Sequence, residues 1–124
     1  MANIRNIVTR AEKDTTTPDT WKITALYDFE VNDDELKLGF EYKDCFEVWE
    51  DDTFNDDKLT KKVSCSVFKP SANLTRRTLT TKISNGKLNT ELMGEEIYVK
   101  VYLENSTLNF AYPPKRSSNL YLKA

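Results

Sequence analysis

Residues 21–31 read WKITALYDFEV, and Trp21, Ile23, Ala25, Tyr27, Phe29 and Val31 take every second position. Successive side chains of an extended chain leave opposite faces, so this spacing predicts a strand with one buried face and one wet face. The period continues along the chain. Leu36, Leu38, Phe40, Tyr42, Phe46 and Val48 keep one phase, and Val63, Cys65 and Val67 follow. Leu79, Thr81 and Ile83 form the next run, then Leu88, Thr90 and Leu92, then Ile97, Val99, Val101 and Leu103. Leu108, Phe110 and Tyr112 form another, and LYLKA at 120–124 reads as a short last strand.

Turn chemistry separates these runs. Asn85-Gly86 accepts the positive φ angles of a type I′ hairpin. MGEE (93–96) and ENST (104–107) reverse the chain again, and PPKRSSN (113–119) is a breaker. Seven to nine short strands with almost no helical spacing predict an all-β fold, an antiparallel β-sandwich of Greek-key, jelly-roll or immunoglobulin-like type. The Cys-Trp-Cys order of antibody domains is not met, because the chain runs Trp21, Cys45, Trp49, Cys65. Residues 20–124 read as a single domain. Residues 1–19 read as an N-terminal arm and linker: Ile4, Ile7, Val8 and Ala11 fit a short helix or an edge strand, ahead of KDTTTPDT. Helix is expected only in that arm.

With 124 residues and fourteen aromatics the chain can bury a core. No run approaches the roughly 20 apolar residues that cross a bilayer. The first residues lack the apolar core of a secretory signal. In the phases above Cys65 points inward and Cys45 outward, so no disulfide is expected. Two free thiols suit a reducing compartment, and the expectation is a cytoplasmic protein unless a leader has been removed. Asn73 and Asn105 begin glycosylation sequons that would matter only after secretion.

Much chemistry is missing. The chain has no histidine, which removes the commonest general base and imidazole metal sites. Its three glycines, at 39, 86 and 94, cannot build a phosphate-cradling loop. Basic residues are scattered and the net charge is −2, against the concentrated positive surface that nucleic acid requires. No catalytic residue is assigned and no cofactor is expected.

The acidic loop 50–57 is the strongest remaining signal, with five carboxylates and one asparagine in eight residues. Asp51, Asp52, Asn55, Asp56 and Asp57 are hard oxygen donors that would suit calcium. Counted from Asp51, however, Asp56 stands where an EF-hand needs glycine and Lys62 where it needs glutamate. Asn32, Asp33, Asp34 and Glu35 offer a second acidic loop, which could share an ion only if both loops met at one end of the sandwich. One long strand from Leu36 to Val48 would part them; a turn at Lys43-Asp44 would join them. The bland reading is a pair of solvated turns.

Trp49 lies on the phase opposite Phe46 and Val48. Tyr98 and Tyr102, with Lys100 between them, lie opposite Ile97, Val99 and Val101. Such aromatics anchor a protein contact, stack on sugar rings, or lie under a second layer. Charge is also segregated: residues 28–57 carry −11 and residues 58–124 carry +8. Acidic and basic strands either pair within the domain or leave two faces that favour association.

These observations favour a non-catalytic binding or assembly module acting through a protein partner or a second copy of itself. Its expected surface comprises Trp49, Asp51, Asp52, Asp56, Tyr98 and Tyr102. The alternatives are a calcium-assisted carbohydrate- or membrane-binding domain built on loops 32–35 and 50–57, and a small hydrolase using a carboxylate pair.

Overall fold

Strand β2 (Thr20–Glu30) buries Trp21, Ile23, Ala25, Tyr27 and Phe29 and leaves the residues between them half-buried, as the alternation requires. The computed structural model describes residues 2–51, 56–84 and 95–122. In it β2 is the centre of a three-stranded sheet, between β1 (Asn3–Lys13) and β6 (Leu74–Ser84). A second sheet is built on β3 (Tyr42–Glu50) and β7 (Glu95–Asn105), antiparallel from Tyr42 opposite Asn105 to Glu50 opposite Ile97. Strands β4 (Asp57–Lys58) and β5 (Val63–Phe68) share the free edge of β3. Strands β8 (Phe110–Ala111), β9 (Lys115–Arg116) and β10 (Leu120–Leu122) share that of β7.

Among the described residues all pairings are antiparallel, and the sheets pack face to face as a sandwich. The ten strands of the described residues exceed the expected seven to nine because both edges of the larger sheet are broken into short pieces. Phe46, Val48, Ile97, Val99, Val101 and Leu103 meet Ile23, Ala25, Phe29, Leu79 and Ile83 in one core. Among the described residues no helix is long and apolar enough to cross a membrane.

The expected arm is strand β1, the edge-strand alternative, and KDTTTPDT is the turn that joins it to β2. Its helix-like spacing has a physical source. Asn6 adopts φ 54° at a bulge that shifts the register between Arg5 and Val8, so the inward phase changes partway along the strand.

Several expectations are corrected. The single strand from Leu36 to Val48 is instead helix α1 (Asp33–Leu38) followed by β3. Asn32 caps the helix by accepting from the Glu35 N–H at 2.8 Å, and Gly39 ends it in the left-handed conformation at φ 66°. Helix therefore occurs here, not in the arm, and Leu38 is exposed. Lys43-Asp44 is no turn but lies within β3. The inward phase assigned to Val63, Cys65 and Val67 holds for Val63, which packs on the core, and fails for Cys65 and Val67. Phe46 pairs with Val63 and Asp44 with Ser66, so β5 carries one extra residue, and Ser64 sits at φ 56°. That bulge turns Cys65 and Val67 outward. Cys65 meets Cys45 across the strands in a disulfide with Cα atoms 4.3 Å apart. The thiol-based ground for a reducing compartment falls with it.

The Asn85-Gly86 hairpin and the Leu88, Thr90, Leu92 run lie outside the described residues. Leu108 and Phe110 are exposed, and only Phe110–Ala111 is strand there. Asn105 is buried and accepts from the Leu108 N–H, so its sequon is not presented on the surface.

One charged cluster lies inside the sandwich. Asp44 is fully buried and accepts from Tyr27 Oη at 2.6 Å and from the Arg77 guanidinium at 2.8 and 3.1 Å. Tyr27 and Arg77 stand opposite each other in the smaller sheet and Asp44 belongs to the larger one, so the cluster clips the sheets together. Burial and the Asp44 charge push the Tyr27 hydroxyl well above its ordinary range, and the Asp44 hydrogen bonds raise Arg77 further.

Candidate functional site

Alternation along β3 and β7 sends Cys45, Glu47 and Trp49, with Tyr98, Lys100 and Tyr102, to the outer face of the larger sheet. Register sets Trp49 opposite Tyr98 and Glu47 opposite Lys100. The Trp49 and Tyr98 rings stack at 6.2 Å with 11° between their planes. Cations lie over the rings: Lys100 over Trp49 at 4.0 Å, Arg116 over Tyr98 at 3.5 Å and Lys62 over Tyr102 at 4.3 Å.

Glu47 is the hub of this face. Its Oε1 accepts from Tyr102 Oη at 2.6 Å and from Trp49 Nε1 at 3.1 Å, while Lys58 Nζ stands 3.7 Å from Oε2. Burial opposes its charge, but those hydrogen bonds and the ammonium groups of Lys58 and Lys62 outweigh it and hold the carboxyl below its usual range. A carboxylate so neutralised is a structural anchor, not a poised general acid.

Trp49, Tyr98 and Tyr102 therefore come together on one face, covered by long cationic side chains and not by a second sheet. The acidic residues take other positions. The Asp51 N–H donates to Glu96 O at 2.8 Å, and its carboxylate accepts from the Asn119 amide. Asp56 accepts from Tyr98 Oη at 2.6 Å. Asp57 is exposed in β4 opposite Glu50. Asp52 and Asn55 lie outside the described residues. Among the described residues no three His, Cys, Asp or Glu side chains gather as a metal cage. Asn32–Glu35 precede β3 and Asp51–Asp57 follow it, so nine residues of strand, roughly 26 Å at about 3.3 Å per residue, separate the two loops.

Glu47, Lys58, Lys62 and Arg116 were missed by sequence reasoning. Glu47 shares the phase of Trp49, which was a readable signal. The cations come from β4, β9 and a loop, whose neighbours depend on topology. Asp44 and Arg77 were legible too, since each stands on the inward phase of its own strand.

The face has a titration signature. Burial, followed by hydrogen bonds to Asp56 and Glu47, pushes the Tyr98 and Tyr102 hydroxyls up to about 12. The folded chain then holds these protons more tightly than the unfolded chain, whose tyrosines titrate near 10. Their contribution to stability is intact below pH ~10 and is lost as pH rises towards ~12. Tyrosinate absorbance should show Tyr98 and Tyr102 ionising late, and Tyr98→Phe with Tyr102→Phe should remove that part of the late step. A titration complete near pH 10 in the folded chain would contradict the buried, hydrogen-bonded hydroxyls.

No protein-family model matches the chain, and no curated protein matches it. Among solved structures, the chain is similar to the crystal structure of the GH3 beta-glucosidase of Bifidobacterium adolescentis, at 11% identity and a TM-score of 0.46. The match covers 98% of this chain and 17% of that chain. A likeness of that size assigns neither fold nor activity.

Proposed function

We propose that this β-sandwich is a non-catalytic module that works through protein–protein contacts, with the outer face of β3 and β7 as its contact surface. The observation that carries this is the cluster of Trp49, Tyr98 and Tyr102 under Lys100, Arg116 and Lys62. Tryptophan, tyrosine and arginine dominate the energetics of protein interfaces. Cations already lie over the ring faces that a sugar would stack against, which favours a protein partner over a carbohydrate.

The structure also bears on how association would be driven. Asp28 pairs with Arg76, Asp44 with Arg77 and Glu47 with Lys58, so the acidic block neutralises part of the basic one internally. Weight moves from charge to aromatic burial. Sedimentation at low and high salt reads this directly, because contacts between exposed charges are screened beyond about 8 Å at physiological salt and apolar burial is not. We expect a species heavier than 14.4 kDa that survives high salt and shrinks in Trp49→Ala with Arg116→Ala. A species that dissolves with salt would restore the charge-led reading. A strict monomer at every protein concentration would sink self-association.

A further inference from the structure

The Cys45–Cys65 bond joins a buried residue of β3 to an exposed one of β5 on this same outer face. A surface cavity of about 120 Å³ reaches it, with Lys43, Cys45, Lys62 and Tyr102 in its lining. The strip from Asp57 to Phe68 pairs with β3 alone and carries Lys58 and Lys62, which lie against Glu47 and Tyr102. Among the described residues its other attachments are these. Leu59 N–H donates to Val48 O, Thr60 Oγ1 accepts from Val48 N–H, Ser64 Oγ accepts from Thr80 N–H at 3.4 Å, and Ser66 meets Arg77 and Asp44. Phe68 packs on Phe29 and Tyr42 under the Arg77 guanidinium, and Leu59 and Val63 rest on the core. Such a strip is a low-stability unit that one covalent tie can hold or release.

We propose that the Cys45–Cys65 bond is a redox latch: oxidised, it holds the strip closed over the Glu47–Tyr102 face, and a dithiol reductant opens it. The reductant's thiolate attacks Cys65 Sγ on the exposed strand and forms a mixed disulfide there. The electron pair of the broken S–S bond leaves on Cys45 Sγ, in the cavity that Lys43 and Lys62 also line. The reductant's second thiol then displaces Cys65 and closes its own disulfide. Two electrons and two protons pass from the dithiol to the two cysteines. The latch stands on its own geometry; its effect on partner binding rests on the contact surface proposed above.

Hydrogen exchange read by mass spectrometry on the full chain tests it. Prepared without reductant, the chain should show no free thiol in denaturant and a mass lower by the two thiol hydrogens. Dithiothreitol should quicken amide exchange across 57–66 by at least about tenfold and leave β2 and β6 protected. Cys45→Ser with Cys65→Ser should give the same local opening without reductant and no further response to it. If that variant does not fold, titration of the unaltered chain with dithiothreitol decides. Two titratable thiols in the chain prepared without reductant, or exchange in 57–66 unmoved by reduction, would overturn the latch. So would acceleration spread evenly over β2, β6 and β7, which would make the bond a staple of the whole domain. Local opening with unchanged association would uphold the latch and tell against the face as contact surface.

Discussion

Arg77→Ala should destabilise the domain by about 3 kcal/mol, because it leaves the Asp44 charge buried without its guanidinium. The lower end of the usual range is expected since the Arg77 side chain is 21% exposed while that of Asp44 is 0% exposed. At roughly 2.1 cal/mol/K of unfolding entropy per residue, this lowers Tm by about 10 °C. Arg77→Lys should recover only part of the loss, as an ammonium cannot reproduce the forked pair of hydrogen bonds to Oδ1 and Oδ2. Asp44→Leu with Arg77→Leu should be far milder than either single change, since neither charge is then stranded. Thermal unfolding of the unaltered chain, Asp44→Leu, Arg77→Leu and the double variant closes the cycle. A cost below about 1 kcal/mol for Arg77→Ala would mean that water reaches Asp44 and that the clip is not a structural element.

Phe29→Ala should cost about 3–5 kcal/mol, the usual penalty for emptying a buried aromatic site. Phe29 is fully buried and sits edge-on to Tyr42 at 4.8 Å and to Phe68 at 5.0 Å, so it joins β2 to both β3 and β5. Combining it with Phe68→Ala should cost less than the sum of the two by about 1 kcal/mol, the part owed to the ring pair itself. Leu74→Ala on the same sheet is the control. Leu74 is exposed, so its removal should stay within about 0.5 kcal/mol. Chemical denaturation measures all four variants, Phe29→Ala, Phe68→Ala, their combination and Leu74→Ala. Equal losses for Phe29 and Leu74 would place the core elsewhere.

The legible parts of the fold are those where a regular pleat meets one dry face. From β2, β6 and β7 alone, the alternation names Trp21 to Phe29, Leu79, Ile83 and Ile97 to Leu103 as core, and all are buried. The illegible parts are those where the backbone departs from the pleat. Leu36 and Phe40 fit period two as well as they fit one helical turn, and only the Asn32 and Gly39 caps separate the readings. The bulges at Asn6 and Ser64 need a positive φ on a residue that is not glycine, and composition does not announce that. For the candidate site, phase placed Trp49, Tyr98 and Tyr102 on one outer face. Register, which lies in pairing and not in any single strand, brought in Glu47 and the cations.

The extra residue of β5 decides which side of the sheet Cys65 takes. Between Phe46 and Asp44 the partner strand spends three steps, Val63 to Ser66, where plain pairing would spend two. With the same residues in plain alternation from Val63, Cys65 would take the inner face, whereas loss of the Ser64 codon would leave Cys65 directly opposite Cys45 on the outer face. In this chain a deletion at the bulge that removes no cysteine and no core residue would keep the cross-link.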